Sequence, residues 1–146
     1  MRKAFICPTK YVQGEDELLN LGYFVKTFGK KALLIAHKDD VARVQDKLDK
    51  TAAQYKVEFV AANFTGECSR QEVARLQQLA KENKCACTIG LGGGKAIDTA
   101  KCVAKGEALI ICPPSRRPTR PPPTPQCSTL RTARLTIMLT SNRAPA

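Results

Sequence analysis

Short apolar runs alternate with amphipathic segments over the first 112 residues, and few folds accommodate that alternation. The runs are "KKALLIAHK" (30–38), "KVEFVAAN" (56–63), "CACTIGLG" (85–92) and "EALIIC" (107–112). Each has strand length, and the core of the first is apolar without a break, as in strands covered on both faces. The segments between them have helical spacing. Val41, Val44, Leu48 and Ala52 recur every three or four residues, and Val73, Leu76, Leu79 and Ala80 mark one face of the next segment. Ser69 stands three residues before Glu72, which predicts a capping box at the start of that helix. "GKAIDTAKCVAK" (94–105) reads as a further helix, and "ELLNLGYFVKTFG" (17–29) as an opening helix ended by Gly29. The order α-β-α-β-α-β-α-β predicts an α/β fold: a parallel sheet with flanking helices and right-handed crossovers. Ligands of such sheets bind beyond the carboxyl ends of the strands, where glycine loops open helices.

"IGLGGGKAIDTAK" (89–101) is the most specific stretch. Gly92, Gly93 and Gly94 let the backbone approach a bulky anion and expose N–H groups at a helix N-terminus, where the dipole favours negative charge. Lys95 opposes that dipole unless an anion lies between them. Asp98 complements it and can accept hydrogen bonds from a ligand hydroxyl or amide. Neither standard phosphate motif fits. A P-loop needs glycine where Ile89 stands and Ser or Thr where Ala96 stands; G-x-G-x-x-G needs glycine at Lys95 or Ile97. A turn that merely joins strand to helix is the plain alternative, but three adjacent glycines exceed what a turn requires.

"GGGKAIDTAK" (92–101), with "KYVQG" (10–14) and "GECSRQEVARL" (66–76), resembles the glycerol dehydrogenases of the metal-dependent alcohol dehydrogenases. The likeness covers residues 1 to about 113. It implies a domain that binds NAD, with the diphosphate at Gly92–Gly94 and contacts from Lys95, Ala96, Ile97 and Asp98. It also implies an all-helical domain whose metal, usually zinc, is held by one aspartate and two histidines. The chain has no histidine after His37, so neither metal ligands nor catalytic residues are assigned within it. On this reading it holds part of a dinucleotide-binding domain (1–112) and is inactive alone. The full-length parent would be a cytoplasmic homo-oligomer that oxidises glycerol, or another polyol or alcohol, with NAD, and without membrane or specific nucleic-acid partners. One position departs from the family pattern. His37 stands where an acid usually holds the adenosine ribose hydroxyls; Asp39 or Asp40 can substitute, or the preference for NAD over NADP is relaxed.

Composition changes abruptly at Pro113. All 13 acidic residues, all 14 lysines and all nine glycines precede it; six arginines and eight of the nine prolines lie from Pro113 onward. The net charge of +11 therefore overstates the basic character of the first 112 residues, which carry 18 − 13 = +5. The family continues from the fourth strand with a segment resembling C-P-T-I-A-S-T-D-A-P. Losing one nucleotide from G/C-rich codons for that segment yields C-P-P-S-R-R-P-T-R-P, the sequence at 112–121. Residues 113–146 thus read as an out-of-frame, disordered basic tail. A polyproline II ligand for SH3-like domains, or a nonspecific nucleic-acid contact, is the rival from another class, and neither explains the codon match. The seven cysteines show no C-x-x-C spacing and read as reduced, small apolar residues.

Overall fold

The computed structural model describes residues 3–6, 10–113 and 134–140. They form one seven-stranded sheet in the order β1-β2-β7-β6-β5-β3-β4. The strands are β1 (Lys3–Ile6), β2 (Lys10–Glu15), β3 (Lys31–Ala36), β4 (Glu58–Asn63), β5 (Cys87–Leu91), β6 (Leu109–Cys112) and β7 (Arg134–Thr140). The helices are α1 (Leu21–Phe28), α2 (Lys38–Tyr55), α3 (Arg70–Glu82) and α4 (Gly94–Ala104), with one 3-10 turn at Glu17–Asn20 ahead of α1.

The four strands expected from the apolar runs, β4-β3-β5-β6, are parallel throughout. The expected parallel sheet with flanking helices is thus present, and the sheet continues beyond β6 with further strands. A β1–β2 hairpin and β7 extend the sheet antiparallel, with β7 between β2 and β6. "KAFI" is too short and "KYVQGE" too polar to announce a strand; β1 pairs with β2, and β2 in turn with β7. The expectation of disorder over 113–146 falls largely outside the described residues. Over Arg134–Thr140 the chain forms β7, whose "RLTIMLT" includes β-branched Thr136 and Ile137 and lies between β2 and β6.

β3 explains why the helices divide into two layers. Its side chains alternate across the sheet. Ala32, Leu34 and Ala36 lie on one side with Ile89 and Ile110, covered by Leu21, Phe24 and Val25 of α1 and Leu48 of α2. Leu33 and Ile35 lie on the other with Ile111, covered by Leu76 of α3 and Ala100 and Val103 of α4. α1 and α2 then cross closely. Gly22 N–H donates to the buried Thr51 Oγ1 at 2.9 Å, and a Cβ at Gly22 would meet Thr51 O at 2.8 Å. Gly29 ends α1 as expected, in extended rather than left-handed backbone; a Cβ there would collide with the Ala86 methyl.

Half of the expected capping box forms at α3. Ser69 Oγ accepts from Glu72 N–H at 3.1 Å, but the Glu72 carboxylate takes the Arg75 fork at 2.9 and 2.6 Å instead of turning back to Ser69. Arg75 also donates to Asn63 O at 3.1 Å, which ties α3 to the end of β4. The hydrogen bond from Arg75 holds the Glu72 carboxyl below its ordinary value. The α1–α2 crossing gives a direct test. Thr51→Val keeps the shape but strands the buried Gly22 amide, and urea unfolding is expected to show a loss of about 1–3 kcal/mol.

Candidate functional site

β3 leads through α2 outward to β4, whereas β5 leads through α4 the opposite way to β6. The chain paths therefore part between β3 and β5, which lie side by side with Ile35 opposite Gly90. A crevice opens at such a switch point, beyond the carboxyl ends of the two strands. Two loops reach it: His37–Asp40 after β3 and Gly92–Gly94 after β5.

Each glycine after β5 answers a different constraint. Gly90, still in the strand, lets α4 settle on the sheet, since a Cβ there would lie 2.7 Å from the Ala100 methyl. Gly92 has φ +123°, a conformation L side chains rarely adopt, and its N–H donates to Cys112 O at 3.2 Å. A Cβ on it would come within 2.9 Å of Asp40 Oδ2. Gly93 is the N-cap of α4 and Gly94 its first residue, and a Cβ on either meets nothing within 4 Å. The loop is thus anchored at Gly92 and open at Gly93 and Gly94.

No side chain caps α4. Ile97 N–H bonds to Gly93 O at 3.1 Å, and the amides of Gly94, Lys95 and Ala96 precede that bond at the helix end, where amides have no intrahelical acceptor. The structure therefore brings together most of the residues singled out from the sequence, but in different capacities. Gly92 supplies close approach rather than a free amide. Ala96 is buried against the second core cluster and Ile97 packs at its edge, so each presents backbone, not side chain. Lys95 turns away to pair with Glu67 at 3.1 Å, which relieves its conflict with the helix dipole. Asp98 lies 3.5 Å from Lys101 on the exposed side of α4.

The first turn of α2, after β3, gives its two acids different surroundings. His37 caps α2: its Nδ1 accepts from Asp39 N–H at 3.4 Å and lies 3.3 Å from Asp39 Oδ2. Asp39 therefore folds back on His37, while Asp40 sits against Gly92 and is 3.6 Å from Arg43. Of the two acids, Asp40 is thus the one beside the glycine loop.

Parallel strands with helices on both faces and a glycine loop at the switch point make this a doubly wound α/β domain. The chain belongs to the iron-containing alcohol dehydrogenases, a family of oxidoreductases whose sequence profile matches residues 8–130. A glycerol dehydrogenase of Pseudomonas putida is 40% identical over 104 residues, 71% of this chain and 28% of that enzyme. A glycolaldehyde reductase of Halobacterium salinarum is 31% identical over 115 residues, 77% of this chain and 32% of that protein. The crystal structure of glycerol dehydrogenase from Schizosaccharomyces pombe superposes with a TM-score of 0.61 at 27% identity, over 68% of this chain and 26% of that one. The chain spans less than a third of the length of each of these relatives.

The family implies a metal, but the donors described here do not fit one. Among the described residues no group of three or more His, Cys, Asp and Glu side chains converges, and His37 is engaged by Asp39. No step through a metal is derived. Among the same residues no helix is long and apolar enough to cross a membrane. The glycine loop itself is testable by stability: Gly92→Ala is expected to cost about 1–3 kcal/mol in thermal or urea unfolding, because it forces a side chain into strained backbone beside Asp40.

Proposed function

We propose that this chain forms the cofactor-binding part of a polyol dehydrogenase that oxidises glycerol to dihydroxyacetone by hydride transfer to NAD. The observation that carries the reading is the uncapped α4 N-terminus, open at Gly93 and Gly94, facing Asp40 across the switch-point crevice. The amides of Gly94, Lys95 and Ala96 would hold the diphosphate, with the dipole of α4 adding to the attraction. Lys95 would leave Glu67, an exposed pair of little strength, to meet the same charge. Asp40, with His37 beside it, would accept from the adenosine ribose hydroxyls. An acid there repels a 2′-phosphate, which favours NAD over NADP. These residues bind and orient the cofactor; none of them moves a proton on the alcohol.

The similarity to a glycolaldehyde reductase favours a second reading, in which the parent enzyme acts on another small hydroxy-carbonyl compound. The cofactor half is common to both. The 146-residue polypeptide is expected to bind NADH without turning over glycerol, and fluorescence titration with a coupled absorbance assay checks both. Gly94→Ala should leave stability within about 1 kcal/mol, since its backbone is helical and the space is free. Its methyl, tilted toward the helix N-terminus, should weaken NADH binding about tenfold or more, a loss of ~1.4 kcal/mol. Equal affinity in both proteins would place the dinucleotide elsewhere.

We further propose that residues 113–146 are read out of frame. The nucleotides that encode them, translated in the frame restored by one added base, are expected to continue the alcohol dehydrogenase sequence. A gene read that gives unrelated or interrupted sequence in that frame overturns this.

A further inference from the structure

The cysteines of the described residues do not share one environment, contrary to their uniform reading as small apolar residues. Cys87 and Cys112 are buried within the sheet, and burial pushes each thiol up to about 12. Cys85 is half-buried at the start of β5. Cys68 and Cys102 are both exposed, and although 102 − 68 = 34 positions separate them, the Cys102 thiol lies within reach of that of Cys68.

The fold explains this meeting. Cys68 directly precedes Ser69, the cap of α3. Cys102 follows Lys95 by seven residues on α4, two turns along the same face. Lys95 binds Glu67, the neighbour of Cys68, at 3.1 Å. Gln77 of α3 donates toward Cys102 O at 3.4 Å. The segment ahead of α3 therefore lies along the face of α4 that carries Lys95 and Cys102. Partial desolvation, then the neighbouring Cys68, then Asp98 one turn earlier keep Cys102 protonated above the ordinary thiol range.

We propose that Cys68 and Cys102 form a reversible intramolecular disulfide on exposure to a hydroperoxide, joining the segment ahead of α3 to α4. The Cys68 thiolate attacks a peroxide oxygen; the O–O bond breaks, the departing hydroxide takes a proton to become water, and Cys68 becomes a sulfenic acid. The Cys102 sulfur then displaces the hydroxyl from Cys68. Its own proton leaves with that hydroxyl as a second water. Two thiols and one hydrogen peroxide give one disulfide and two waters, and a dithiol reductant reverses the change. The tether also holds Glu67 against Lys95, which disfavours the turn of Lys95 toward a diphosphate; this consequence rests on the dinucleotide reading above.

The test treats the full 146-residue protein with hydrogen peroxide and maps its peptides by mass spectrometry without reduction. A Cys68–Cys102 peptide pair, abolished by dithiothreitol and missing in Cys68→Ser and in Cys102→Ser, is expected. Pairing of either cysteine with Cys7 or Cys127 instead, or over-oxidation of Cys68 without a cross-link, overturns the site. Circular dichroism of the two variants, unchanged because both positions are exposed, keeps a missing cross-link from being confused with unfolding. NADH titration then separates the two ideas: oxidised protein should bind about fivefold more weakly or worse than reduced. Equal affinities overturn the coupling. If reduced protein does not bind NADH, the dinucleotide reading fails while the mass data decide the disulfide independently.

Discussion

The fold depends on β3 being covered from both sides. Ala32, Leu33, Leu34, Ile35 and Ala36 are all buried, and alternate members feed two separate cores. A strand in that position has no solvent face on which to place a charge, so its run is continuously apolar. Its two parallel neighbours, β4 and β5, inherit their direction from it. Because they lead to opposite flanks, the crevice between β3 and β5 follows from that one strand. The site is a consequence of where the sheet divides.

Close approach is the second constraint, and it is met by removing side chains. Gly90 lets α4 lie against β5, Gly22 lets α1 lie against α2, and Gly92 admits Asp40. The three contacts occur where an element that builds the crevice meets its support. Gly93 and Gly94 differ from them: their missing side chains face open space, so packing gives no reason for glycine there. The dinucleotide proposed for this loop would supply the reason that packing does not. The anchoring of Gly92 N–H on Cys112 O also links the loop to β6, so the open amides sit on a fixed base.

The electrostatics of the crevice are arranged in exposed pairs rather than buried ones. Lys95 with Glu67, Asp98 with Lys101 and Asp40 with Arg43 are all accessible to water. Such pairs contribute little to stability and exchange partners readily. That suits side chains that must re-form contacts around an incoming anion. Rigid parts of the site are backbone, and adaptable parts are side chains.

Periodicity made the four parallel strands and four helices legible, because alternation of buried runs with amphipathic segments has few solutions. The glycine loop was legible for the same reason: three adjacent glycines have few uses between a strand and a helix. Other features depended on partners distant in the chain. The β1–β2 hairpin and β7 are strands because each supplies the other's edge, which no local pattern encodes. Glu72 turns to Arg75 because Asn63 holds that guanidinium in place, and Asp40 rather than Asp39 enters the crevice because His37 keeps Asp39. Cys68 and Cys102 look like isolated small residues until α3 and α4 pack. The sequence by itself determined which segments are strands of a buried parallel sheet and where its glycine loop lies, since burial and helix-end chemistry act locally. Tertiary structure alone decided which side chains meet across the chain, because a contact between distant residues is a property of packing and not of either residue.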